Sequence, residues 1–117
     1  MALPKHWRSR SLFVDWWTTR LAAATRQGDT EFVEFVLKQK NIDVNKPETD
    51  GRTPLCIASC TGHTGIVDLL LKHKDIDVNK GVTDGWTPLC IASCKGEKGI
   101  VDLLLKHKDI DVNKANT

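Results

Sequence analysis

TDGRTPLCIASCTGHTGIVDLLLKHKDIDVNKGV, Thr49 to Val82, is followed at once by TDGWTPLCIASCKGEKGIVDLLLKHKDIDVNKAN, Thr83 to Asn116, and the two are identical at 28 of 34 positions. A unit of that length in tandem builds a stacked solenoid, in which each copy buries its apolar face against the next, rather than a single closed core. The register is unambiguous: Gly51 matches Gly85, Pro54 matches Pro88 and Asn79 matches Asn113. The same period moved upstream exposes a degenerate copy over Asp15 to Glu48, which agrees with the second at 14 of 34 positions. Leu21, Ala24, Gly28, Val33, Leu37 and the run Ile42, Asp43, Val44, Asn45 fall in step.

Within a unit the residues dictate two short helices and a connecting finger. Thr53 and Thr87 offer hydroxyls as helix caps, and Pro54 and Pro88 then occupy the first helical position, where a missing N–H costs nothing. Gly62 and Gly96 end that helix about two turns later, in left-handed geometry that glycine adopts without steric cost. A second helix begins at once, with Thr64 offering its cap. Ile66, Val67, Leu69, Leu70 and Leu71 give it the wide apolar face of a helix held between neighbours on both sides. Ile76 and Val78 alternate with Asp77 and Asn79, as in a short extended finger, and Asp50-Gly51 and Asp84-Gly85 supply a tight turn at its tip.

The Thr-Pro-Leu opening, the Ala and Gly at fixed offsets, the Leu-rich second segment and the closing Asp-Val-Asn together resemble the ankyrin repeat family over about residues 15 to 117. The resemblance implies an all-α helix-turn-helix solenoid with short extended fingers. Its divisions are an N-terminal arm and the start of a front cap helix at 1–14, a degenerate first repeat at 15–48, a second at 49–82 and a third at 83–117. It also implies a non-catalytic module whose fingertips and first helices line a concave groove that grips a protein partner. One departure stands out: the family usually places a Gly just past the second helix, and here Lys74 and Asp75 stand there. The helix carbonyls then fall to an Asp in left-handed geometry, a longer turn or water.

At 40% hydrophobic, 27% charged and a net charge of +2, the chain has the composition of one small globular domain, and no apolar run is long enough to span a membrane. The weak positive balance argues against nucleic acid as the main partner, since a backbone binder concentrates its basic charge on one face. Lys5, His6, Arg8 and Arg10 cluster at the start and read as a solvated arm, and Met1 to Arg10 lacks the apolar run of a secretory signal.

Cys56, Cys60, Cys90 and Cys94 form two pairs at i, i+4 on equivalent first helices. Side chains one turn apart stand about 5–6 Å from each other at Cβ, beyond the roughly 3.8 Å of a disulfide. One zinc ion would need all four sulfurs about 2.3 Å from a single point, whereas adjacent helices run about 8–10 Å apart. The expectation is four free thiols, no metal, and a reducing compartment: the cytoplasm, with the nucleus as the alternative. Cys56 and Cys90 read as small buried packing residues. His63 is replaced by Glu97 in the next copy, so no chemistry resting on that imidazole is preserved. His73 and His107 end their helices, where a cation suits the helix dipole. No Ser-His-Asp order, paired acids or phosphate-cradling Gly loop appears, so no catalytic residue, cofactor or enzyme activity is expected.

What remains is surface. The two close copies differ at 52, 61, 63, 64, 81 and 82, paired with 86, 95, 97, 98, 115 and 116. Positions 63, 64, 81 and 82 read as drift at exposed sites. Trp86, a large aromatic at an exposed fingertip, reads either as a binding anchor or as packing against the neighbouring finger. The expected partner-binding strip is Asp50, Arg52, Cys60, Thr61, Asp84, Trp86, Cys94 and Lys95, extended by Arg26 and Gln27. A front helix from about Ser11 or Leu12 to Arg26 is expected to cover the open end with Phe13, Trp16 and Trp17. The third unit has no polar cap after Leu103, Leu104 and Leu105, which raises the alternative of a self-associating unit, a homodimer through that repeat.

Overall fold

The structure, a computed structural model, describes residues 10–39, 42–82 and 85–113, with side chains from Trp16 onward. The expectations for the basic arm, for the Phe13 side chain and for Asp84 lie outside these residues. Six helices follow in order: α1 (Arg10–Gln27), α2 (Thr30–Leu37), α3 (Pro54–Thr61), α4 (Thr64–Leu71), α5 (Pro88–Lys95) and α6 (Lys98–Leu105), and the described residues hold no strand. They form two layers, with α1, α3 and α5 stacked in one and α2, α4 and α6 in the other. The result is a rod of 45 × 28 × 23 Å.

Local chemistry sets the boundaries. Thr53 Oγ1 accepts the Cys56 N–H at 3.2 Å and Thr87 Oγ1 accepts that of Cys90 at 3.3 Å, with the prolines at the first helical position. Gly62 (φ 79°) and Gly96 (φ 73°) close these helices in left-handed geometry. The second helix then starts without a side-chain cap. His63, not Thr64, is the cap residue, and its ring turns away to bring Nε2 within 3.3 Å of the Arg26 carbonyl. Only the first unit keeps a working cap there, where Asp29 accepts the Phe32 N–H at 3.1 Å.

Past the second helix the longer turn is the solution adopted. The His73 N–H bonds to the Leu70 carbonyl at 3.1 Å, the Ile76 N–H to the His73 carbonyl at 3.2 Å, and the Asp75 N–H to His73 Nδ1 at 3.1 Å. His107 repeats this with Asp109 at 3.1 Å. Each imidazole Nδ1 thus accepts a backbone N–H of the turn that follows its helix. The finger passes Ile76 and Asp77 without regular structure and turns at Val78 and Asn79; Val78 is buried and Ile76 half-buried, while Asp77 is exposed.

The core runs the length of the rod: Leu21, Val33, Val36, Val44, Leu55, Ile66, Val67, Leu70, Val78, Ile100 and Leu104 are all buried. At the front, Trp17 packs on Phe35 with ring centroids 5.8 Å apart, and Arg20 lies over the Trp16 ring at 5.3 Å. At the back, Leu55, Ile57 and Val67 are buried, whereas their counterparts Leu89, Ile91 and Val101 are only half-buried. The contrast is sharpest at the finger, where Val78 is 1% exposed and Val112 is 59% exposed. Among the described residues nothing stacks on the third unit.

Candidate functional site

The fingertips are built by the backbone. The Val82 N–H bonds to the Trp86 carbonyl at 3.0 Å and the Gly85 N–H to the Val82 carbonyl at 2.9 Å; Glu48, Arg52 and Gly51 repeat the pattern at 2.9 and 2.8 Å. Gly81 makes room for the second of these tips, since a Cβ there would lie 2.2 Å from the Trp86 carbonyl oxygen. That contact removes Gly81 from the exposed sites free to drift.

Between the second and third fingertips and the ends of α3 and α5 lies a cleft of about 290 Å³, lined by Arg52, Cys60, Val82, Trp86, Ile91, Cys94 and Lys95. Five of these, Arg52, Cys60, Trp86, Cys94 and Lys95, belong to the strip expected from the sequence. Trp86 is half-buried in the wall of the cleft, beside Ile91, Cys94 and Lys95 of α5, not an exposed fingertip residue. Arg52 is held by Asp50, whose Oδ1 accepts the Arg52 N–H at 3.0 Å and whose Oδ2 stands 3.8 Å from Nε, while Nη1 lies 4.0 Å from Cys60 Sγ.

The other expected residues sit elsewhere. Thr61 is exposed, and its hydroxyl donates back to the Ile57 carbonyl at 2.8 Å. Arg26 is paired with Glu48, and Gln27 lines a separate cleft of about 380 Å³ between α1 and α2, with Trp16, Arg20 and Phe32. Val82 and Ile91 were missed. Val82 carried a signal, since it differs between the copies, but Ile91 carried none, because its counterpart Ile57 is core.

The thiols grade along the stack: Cys56 buried, Cys60 and Cys90 half-buried, Cys94 exposed. Burial pushes the Cys56 thiol above its ordinary range, and its Sγ lies 3.6 Å from the Lys80 carbonyl oxygen. Cys90 is less buried than expected, since nothing among the described residues covers the third unit as the third covers the second. Among the described residues no group of three or more His, Cys, Asp or Glu is placed to hold a metal ion, and no helix is long and apolar enough to cross a membrane.

With two stacked layers of paired helices joined by fingers on the page, the class is set: a helical repeat solenoid. The family model for ankyrin repeats, in three copies, matches residues 20–116, and the chain belongs to the ankyrin repeat family. These repeats are generally protein–protein interaction modules and typically non-catalytic. Among curated proteins no match to the chain is found.

Proposed function

We propose that the chain is a non-catalytic recognition module that grips a protein partner in the cleft between its second and third units. One observation carries this reading. Of the six position pairs at which the two close copies differ, three place residues in this single cleft: Arg52 and Trp86, Val82 of its pair, and Lys95 of its pair. The remaining three pairs, which begin at 63, 64 and 81, contribute no residue that lines it. The residue types support it too, since Trp and Arg are the side chains from which interfaces draw most of their energy. Rigid backing by α3 and α5 keeps the ordering cost on binding low. The four thiols fit a reducing compartment, and the cytoplasm is the proposed location.

The experiment is affinity capture from cell extract with wild type, with a Trp86→Ala, Arg52→Ala variant and with an Asp68→Ala, Asp102→Ala variant on the outer face. The reading expects a partner retained by wild type and the outer-face variant and lost by the cleft variant. Equal retention by all three would reject it.

A second reading rests on the exposure of Leu105 and Val112, 47% and 59%. In it the chain meets another copy through the third unit. Light scattering across a dilution series separates the two, because only this reading makes the mass concentration-dependent.

A further inference from the structure

The chemistry of the cleft walls specifies the partner segment more closely than its location does. Three apolar side chains, Val82, Trp86 and Ile91, line it, and two cations, Arg52 and Lys95, line it from opposite elements: the second fingertip and the end of α5. No acidic side chain lines it among the described residues. The two cations are unevenly occupied. Arg52 shares Asp50 at 3.8 Å through Nε, while Nη1 faces the soft, weakly accepting Cys60 sulfur at 4.0 Å, so the fork is not engaged by a carboxylate in parallel pairs. Lys95 is exposed and makes no ion pair among the described residues. Its counterpart in the second unit is the neutral Thr61, so this positive charge belongs to the third unit alone.

At about 290 Å³ the cleft has room for one large side chain of a bound segment. We propose that it takes an acidic peptide segment of a protein partner, with one aliphatic or aromatic side chain against Trp86 and Ile91 and a carboxylate on either side, one for Arg52 and one for Lys95. This inference rests on the cleft being the interaction surface. Complementary charge of this sort governs encounter rate and choice of partner more than raw affinity, while the buried apolar residue supplies most of the binding energy.

A library of random peptides panned against the full chain tests it, followed by affinity measurement at low and physiological salt and amide mapping of the bound site. The expected result is enrichment of an apolar residue flanked by Asp or Glu, with perturbed amides at Trp86, Ile91 and Lys95. Affinity should fall by at least about fivefold in Lys95→Glu, recover in Lys95→Arg and weaken with salt. Peptides that map to the cleft without acidic enrichment and ignore Lys95→Glu would overturn the inference while leaving the cleft as the interaction surface. Binders that map to another face, or a library yielding none at the cleft, would overturn both. Preference of the cleft for single-stranded DNA over any acidic peptide would overturn the acidic-peptide proposal as well.

Discussion

The side-chain amide of Asn79 bridges to the next finger, with Oδ1 accepting the Asp111 N–H at 2.8 Å while Nδ2 donates to the Asp109 carbonyl at 2.8 Å. Asn45 does the same one unit earlier, to Asp77 and Asp75, both at 2.7 Å. Each asparagine is itself steadied by the aspartate two residues before it, whose carboxylate accepts the Asn N–H at 3.0–3.1 Å. The fingers are thus tied by a ladder of amides, and the register that places the fingertips over the cleft is fixed by it.

Asn79→Ala and Asn45→Ala should therefore each cost about 1–3 kcal/mol, the net worth of two hydrogen bonds in a partly exposed setting. Asn113→Ala should cost under about 0.5 kcal/mol, because no described loop stands beyond it to receive the amide. Urea melts of the three variants check this. Equal losses at 79 and 113 would show that the ladder is not what stabilises the fingers.

Gly62→Val and Gly96→Val should both destabilise by about 1–2 kcal/mol or more, since φ values of 79° and 73° are left-handed. A Cβ at Gly62 meets only the flexible end of Glu97, at 3.0 Å, and at Gly96 nothing within 4 Å, so both losses should be set by the backbone and be similar. Unchanged urea midpoints for both would show that these turns do not require glycine.

Alkylation of the native protein should modify Cys94 first and Cys56 last, with Cys60 and Cys90 between, following exposure. Thiol titration of unfolded, unreduced protein should count four. The raised Cys56 value also sets a direction in pH. Above the ordinary thiol value of 9.0 the unfolded chain releases this proton while the folded chain holds it, so stability contributed by the neutral buried thiol is lost as pH rises from there through the folded value. Cys56→Ala should flatten that alkaline fall, and an unchanged slope would contradict the assignment.

Mass by light scattering should rise with concentration if the third unit pairs with a second copy, and Leu105→Glu should then restore a monomer. Exposed Leu105 is outside the folded core, so this change should leave the urea midpoint within about 0.5 kcal/mol of wild type. A monomer at every concentration would remove the self-association reading.

Helices α3 and α5 were legible because their boundaries rest on local rules, Thr-Pro at the start and a glycine at the end, and α4 and α6 through their leucine stripe. The second helix's true cap was not, because Gly62 places His63 between the helices and the ring finds a partner 37 residues away in Arg26. Sequence proximity made Thr64 the natural choice. His63 also shows why reading differences between copies as drift misleads at a stacking position: its ring sits against Gly28 of the preceding unit, while Glu97 sits against Gly62. Five residues of the expected strip line one cleft, a proximity that the repeat register carried. Gln27 instead lines the cleft between α1 and α2, and the finger residue Val82 and the α5 residue Ile91 join the cleft beside Trp86, a juxtaposition of separate elements that local sequence does not carry.

Titration of the captured partner against Trp86→Ala and Lys72→Ala tests the cleft most directly. Lys72 pairs with Asp68 at 3.0 Å on the outer face, where i, i+4 charges support the helix in solvent. The account predicts a loss of about 2 kcal/mol or more for Trp86→Ala, roughly thirtyfold in Kd, and less than about twofold for Lys72→Ala. Loss confined to Lys72→Ala, with Trp86→Ala binding as wild type, would contradict it.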